Sequence, residues 1–147
     1  MKIKVFIGIA VLCILVLSLN GGCMSKADKA TKRAMESYLL ENYRDNFISP
    51  DVSSVSFRPL KKKAADGKTV YKVTFKLRGT DCSSGKPKRI SSEKERYLKE
   101  IGKNQFKMLC WESELKEVLD ESEIEKLLQK EYGIFAESAK ERGLLFY

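Results

Sequence analysis

The sequence has no histidine at any of its 147 positions. That absence removes Ser-His-Asp and Cys-His catalysis, and with them the side chain that most often acts as a general base near neutral pH. It also restricts metal chemistry. Beyond residue 23 the only cysteines are the distant Cys82 and Cys110, and without imidazole they cannot assemble the usual tetrahedral zinc set. No metal or other cofactor is implied. Internal repeats and low-complexity stretches are also missing. The composition, 43% hydrophobic and 33% charged, is that of a globular chain and sets aside collagen-like, coiled-coil and disordered classes.

What the chain does have at its start is an export pattern. Lys2 and Lys4 form a short basic region, and Val5–Leu19 is an uncharged apolar run. A run of about 15 residues fits the core of a signal peptide and falls short of the roughly 20 needed to span a bilayer as a helix. Extending it through Asn20–Met24 reaches spanning length only as an uncleaved signal anchor. The run closes on Leu19-Asn20-Gly21-Gly22-Cys23. Small residues directly before a cysteine, just after an apolar core, resemble the lipobox of bacterial lipoproteins, with Asn20 in the slot that family fills with Leu, Val or Ile. The resemblance implies cleavage before Cys23 and acylation of Cys23, a signal peptide over residues 1–22 and one envelope domain over 23–147. It also implies a location in the cell envelope, outside the cytoplasm, and in the outer membrane if the source is diderm, since Met24 rather than Asp follows the cysteine. The alternative is cleavage after Ala27, where Ser25-Lys26-Ala27 places small residues at the two positions read by ordinary signal peptidase. That cut would release a soluble secreted protein.

Either route leaves Cys82 and Cys110 as the cysteines of the exported domain. An even remainder in an oxidising compartment predicts one disulfide between them; closing a loop of that length would stabilise by roughly 3–4 kcal/mol. Trp111, next to Cys110, is expected to pack against it.

The periodicities predict an α+β fold: an N-terminal amphipathic helix packed on a small antiparallel sheet, with helices at the C-terminal end. Ala27, Ala30, Ala34, Met35, Tyr38, Leu39, Tyr43 and Phe47 recur at helical steps over residues 26–47, with Ser25 or Asp28 as the cap and Pro50 as the stop. Residues 53–60 alternate, Asp66-Gly67 is a turn pair, and 69–78 read as the clearest strand, with Tyr71, Val73, Phe75 and Leu77 on one face. Residues 79–92 read as a polar loop. The stretch 92–103 is ambiguous, since Tyr97, Leu98 and Ile101 are spaced as in a helix. Gln105–Trp111 is a third strand. Beyond it, Ser122–Glu125 fits a capping box, Gly133 ends that helix, 134–142 suggest another, and Leu144–Tyr147 form an apolar tail expected to pack on the domain.

Charge is bipolar. Residues 58–107 carry 16 basic and 5 acidic side chains, whereas 112–125 carry seven acidic side chains and one lysine. On the strand, Lys72, Lys76 and Arg78 share the outer face, with Arg58 expected beside them; such a surface suits an anionic lipid or polymer. Nucleic acid is not an expected partner outside the cell. The leading expectation is therefore a non-enzymatic envelope lipoprotein, held to the membrane by its lipid anchor and binding a partner through a basic sheet face. One alternative is an inhibitor or immunity-type protein that binds an envelope enzyme through the acidic segment 112–125. A more distant one is a small hydrolase using paired carboxylates from that segment. The phosphate-loop likeness of Gly79–Pro87 fails on spacing, and Pro87 stands where the motif needs Ser or Thr.

Overall fold

The computed structural model describes residues 24–146. The export signal, Cys23 and Tyr147 lie outside the described residues. The fold is α+β, with an N-terminal helix on a four-stranded antiparallel sheet and helices at the C-terminal end.

Helix α1, Lys26–Tyr43, starts where the Ser25 hydroxyl accepts from the Asp28 amide at 3.0 Å, satisfying one of the first-turn N–H groups that have no helical partner. Its apolar stripe buries Met35, Leu39 and Tyr43. Tyr43 meets Phe75 of the sheet with ring centroids 6.0 Å apart. Strands β1 (Phe47–Pro59), β2 (Val70–Asp81), β3 (Lys88–Gly102) and β4 (Gln105–Met108) form a meander in the order β1-β2-β3-β4. On β2 the face under α1 carries Val73, Phe75 and Leu77, all buried, as its alternation predicts.

Several expectations change. The helix ends at Tyr43, before Pro50, and Phe47 starts a strand that runs through that proline. Residues 92–102 of the ambiguous stretch belong to the 15-residue strand β3, with Lys103 in the turn that follows, and β3 also absorbs Lys88–Ser91 of the expected loop. Its helix-like apolar spacing arises because Arg96, Tyr97 and Leu98 are buried in succession, so both faces of the sheet are covered there. The capping box uses Asp120 and Glu123 instead of Ser122 and Glu125. Trp111 is half exposed rather than packed in the core.

β4 ends opposite Leu98, which leaves most of one edge of β3 without a strand partner among the described residues. The C-terminal elements take that place: α2 (Glu112–Lys116), α3 (Glu121–Tyr132), a 3-10 turn (Gly133–Phe135) and α4 (Ala136–Arg142). Lys130 of α3 reaches Glu95 on one face of β3, while Glu131 reaches Lys94 and Arg96 on the other. Helix α3 thus straddles the open edge. The tail returns as an isolated bridge between Trp111 and Leu144 and buries Leu145 and Phe146.

The expected Cys82–Cys110 disulfide does not fit this fold. Both thiols are free and half-buried. The β2–β3 pairing ends at Asp81↔Lys88, so Cys82 starts the turn at the hairpin tip. Cys110 lies at the other end of the pairing, because the Leu109 amide donates to the Tyr97 carbonyl and places Cys110 beside Arg96. At about 3.3 Å per strand residue, Lys88 and Arg96 are roughly 25 Å apart along β3, whereas bridged cysteines need Cα atoms within about 7 Å.

Candidate functional site

The outer face of the sheet, opposite α1, holds all four basic residues singled out by the sequence, but it divides them. Arg58 stands opposite Lys72 on the neighbouring strand. Lys72 is held by Glu95 at 2.9 Å, and Glu95 also takes Lys130 at 3.4 Å and the Tyr97 hydroxyl at 2.9 Å. Burial would raise the Glu95 carboxyl, yet Lys72, Tyr97 and Lys130 together hold it below the usual carboxylate range. Lys76 stands opposite Glu93, and Arg78 opposite Asp51. Four basic residues therefore share their face with three acidic ones. Reading 92–103 as ambiguous hid Glu93 and Glu95 from the sequence argument.

The same strand assignment brings in a residue the sequence left in a loop. Arg78 pairs with Ser91 and Thr80 with Arg89, so Arg78 and Arg89 are diagonal neighbours on the outer face, roughly 7–8 Å apart at the backbone. Both are exposed. They line a cleft of about 750 Å³ together with Ile48, Ser49, Thr80 and Ser91.

The cleft is shaped by a bulge. The register jumps from Ile48↔Thr80 to Asp51↔Arg78, so Ser49 and Pro50 together oppose Gly79. Pro50 has no N–H to give to the ladder, and Ser49 adopts φ 51°. Gly79 has φ +147°, and a Cβ there would stand 3.3 Å from the carbonyl oxygens of Ile48 and Ser49. Only glycine lets the bulged strand approach so closely. Bulges of this kind re-aim neighbouring side chains and are enriched beside binding sites. Two guanidiniums on one open face can share a single phosphate or carboxylate through paired N–H donors.

The acidic segment is occupied within the fold. Glu112 pairs with Lys116 at 2.7 Å, and Glu114 takes Lys107 at 2.6 Å together with the Cys110 and Trp111 amides. Glu117 accepts from the Ala65 amide, Asp120 and Glu123 cap α3, and Glu121 and Glu125 face Lys140. Each of the seven carboxylates thus has a partner in the chain.

A buried ion pair lies between the sheet and α3. Arg96, 4% exposed, donates to Glu131 at 3.0 and 3.2 Å, and its guanidinium lies 4.2 Å from the centre of the Phe146 ring. Burial would raise the Glu131 carboxyl, but Arg96 and Lys94 outweigh it and lower it to about 2. Burial pushes the Tyr43 hydroxyl up. Burial, with Glu114 nearby, likewise raises the Cys110 thiol and makes it a poor nucleophile. Perturbed groups often mark active sites. Here the pair is closed on itself and fastens the C-terminal elements to β3. No protein-family model, curated protein or solved structure matches this chain.

Proposed function

We propose that the chain is a cell-envelope lipoprotein held by acylated Cys23, whose folded domain is a non-enzymatic binding module for an anionic partner. The observation that carries this reading is the Arg78–Arg89 cleft. It brings together two exposed guanidiniums on neighbouring strands, beside the β1 bulge that Gly79 accommodates. Of the basic residues on that face, Lys72 is engaged with Glu95, and Arg58 sits beside it. Lys76 and Arg78 lie toward the open half, so Arg78 with Arg89 forms the contact and Lys76 supports it.

Binding of the purified chain to a polyphosphate probe tests the cleft. Affinity should fall steeply with salt, since exposed charges are screened beyond about 10 Å at 0.1 M. A charge-assisted hydrogen-bonded contact contributes about 1.5–3 kcal/mol, so Arg78→Glu with Arg89→Glu should weaken binding at least about tenfold. A double variant within about twofold of the parent would rule the cleft out. The anchor has its own test. Label from a palmitate analogue should be lost on Cys23→Ala, and its persistence would refute acylation at that residue.

A further inference from the structure

The start of α1 and two turns of the sheet meet at one end of the domain. The Thr31 hydroxyl lies 3.3 Å from the Asn104 side chain in the β3–β4 turn, and the Asp28 charge acts on Tyr71 of β2. The Glu100 amide donates to the Thr69 carbonyl, which brings the β1–β2 connection to the same end. Residues 24–31, 60–69 and 99–105 therefore form one end face. They contain eight lysines and three carboxylates, Asp28, Asp66 and Glu100. Glu117, bonded to the Ala65 amide, is the fourth acid at this end.

Most of these lysines are uncommitted. Lys26, Lys29, Lys61, Lys62, Lys63 and Lys103 are exposed, and none forms an ion pair with a described residue. Lys68 and Lys99 close on Asp66 instead. Met24 and Ile101, also at this end, are 39% and 46% exposed. Three Cα–Cα steps separate Cys23 from Lys26, a reach of about 11 Å.

We infer that this lysine-rich end face rests on the anionic headgroups of the bilayer that holds the anchor, so that the domain stands upright with the β2–β3 hairpin pointing away. The inference rests on the acylation of Cys23 proposed above. A basic patch beside an acyl anchor is a second membrane signal, and each lysine near an anionic surface favours contact by roughly fivefold, or about 1 kcal/mol. The orientation also narrows the ligand of the cleft. Arg89 and Gly102 are thirteen steps apart along β3, roughly 40 Å at strand rise. Arg78 and Arg89 are then out of reach of the anchoring bilayer and face an anionic polymer beyond it.

Amine-acylation footprinting of the full chain, read by mass spectrometry, tests the orientation. The chain is placed on phosphatidylglycerol-containing vesicles and on phosphatidylcholine vesicles. Lys26, Lys29, Lys61, Lys62, Lys63 and Lys103 should react at least about threefold more slowly on the anionic vesicles, and the difference should vanish at high salt. Lys86 and Lys88, at the hairpin, should react equally on both. Lys61→Glu/Lys62→Glu/Lys63→Glu, all on exposed positions, should abolish protection of Lys26 and Lys103. Equal reactivity of the end-face lysines on both vesicles, or protection of Lys86 and Lys88 instead, overturns the proposal. The same spectra report the mass of the Cys23 peptide. An unacylated Cys23 refutes the anchor separately, and the footprint on anionic vesicles then still decides whether the end face binds them.

Discussion

Replacing Glu131 with glutamine should cost the domain about 3 kcal/mol at neutral pH. The carboxyl falls from an ordinary 4.5 to about 2 in the folded chain, and each unit corresponds to about 1.36 kcal/mol of preference for the charged form. Glutamine keeps the shape and an acceptor oxygen but removes the charge that Arg96 and Lys94 both face. An independent guide agrees in size, since breaking a buried ion pair by removing one partner costs about 3–5 kcal/mol. Set against a typical total of about 5–15 kcal/mol, the loss is large. The assay is urea unfolding followed by far-UV circular dichroism. With a slope of about 1–3 kcal/mol per molar, the midpoint should drop by roughly 1–3 M. The pH dependence supplies a second reading. A lowered carboxylate contributes stability that is present above its unfolded value and lost as pH falls through its folded value. Stability of the parent should therefore decline between about pH 4.5 and 2, and that component should be missing in the variant. Arg96→Met with Glu131→Leu should lose less than Glu131→Gln, because the fully buried guanidinium is removed with its partner and only the part-exposed Lys94 loses an ion pair. A Glu131→Gln variant within about 1 kcal/mol of the parent, with an unchanged acid limb, would refute this account.

Two other outcomes follow from the same structure. Gly79→Ala should destabilise by about 1–3 kcal/mol, the range for a side chain forced into a sparsely populated backbone region, and should weaken polyphosphate binding by disturbing the bulge; an unchanged thermal midpoint and affinity would contradict the close approach of β1. Titration of the chain with a thiol reagent, after unfolding without reductant, should find Cys82 and Cys110 both free, and mass mapping that recovers them joined within one chain would refute the strand register.

The first helix and the β1–β2 hairpin were legible because their patterns are local: helical steps through Met35 and Leu39, and alternation from Tyr71 to Leu77 above one wet face. β3 was not, because burial of Arg96, Tyr97 and Leu98 depends on elements far away in sequence. Nothing near Tyr97 announces that α3 will cover both sides of that edge. The candidate site suffered from the same gap. Without β3, neither the acids Glu93 and Glu95 nor the second arginine, Arg89, could be placed on the face with Lys76 and Arg78. Cysteine parity failed for a different reason, since an even count says nothing about where a register will carry two residues. The expected packing of Trp111 failed with it, because that packing assumed a bridge beside it.

The bulged strand has one more consequence. β1 is the outer edge of the sheet, and a regular outer strand is a template on which a neighbouring molecule can add its own. The proposed anchor at Cys23 would confine copies of the domain to two dimensions, where encounters between such edges would be frequent. Pro50 withholds a donor, and Ser49 and Ser54, both at positive φ, twist the ladder at the two register jumps. The irregularity that opens the cleft thus also keeps crowded copies from joining into a continuous sheet.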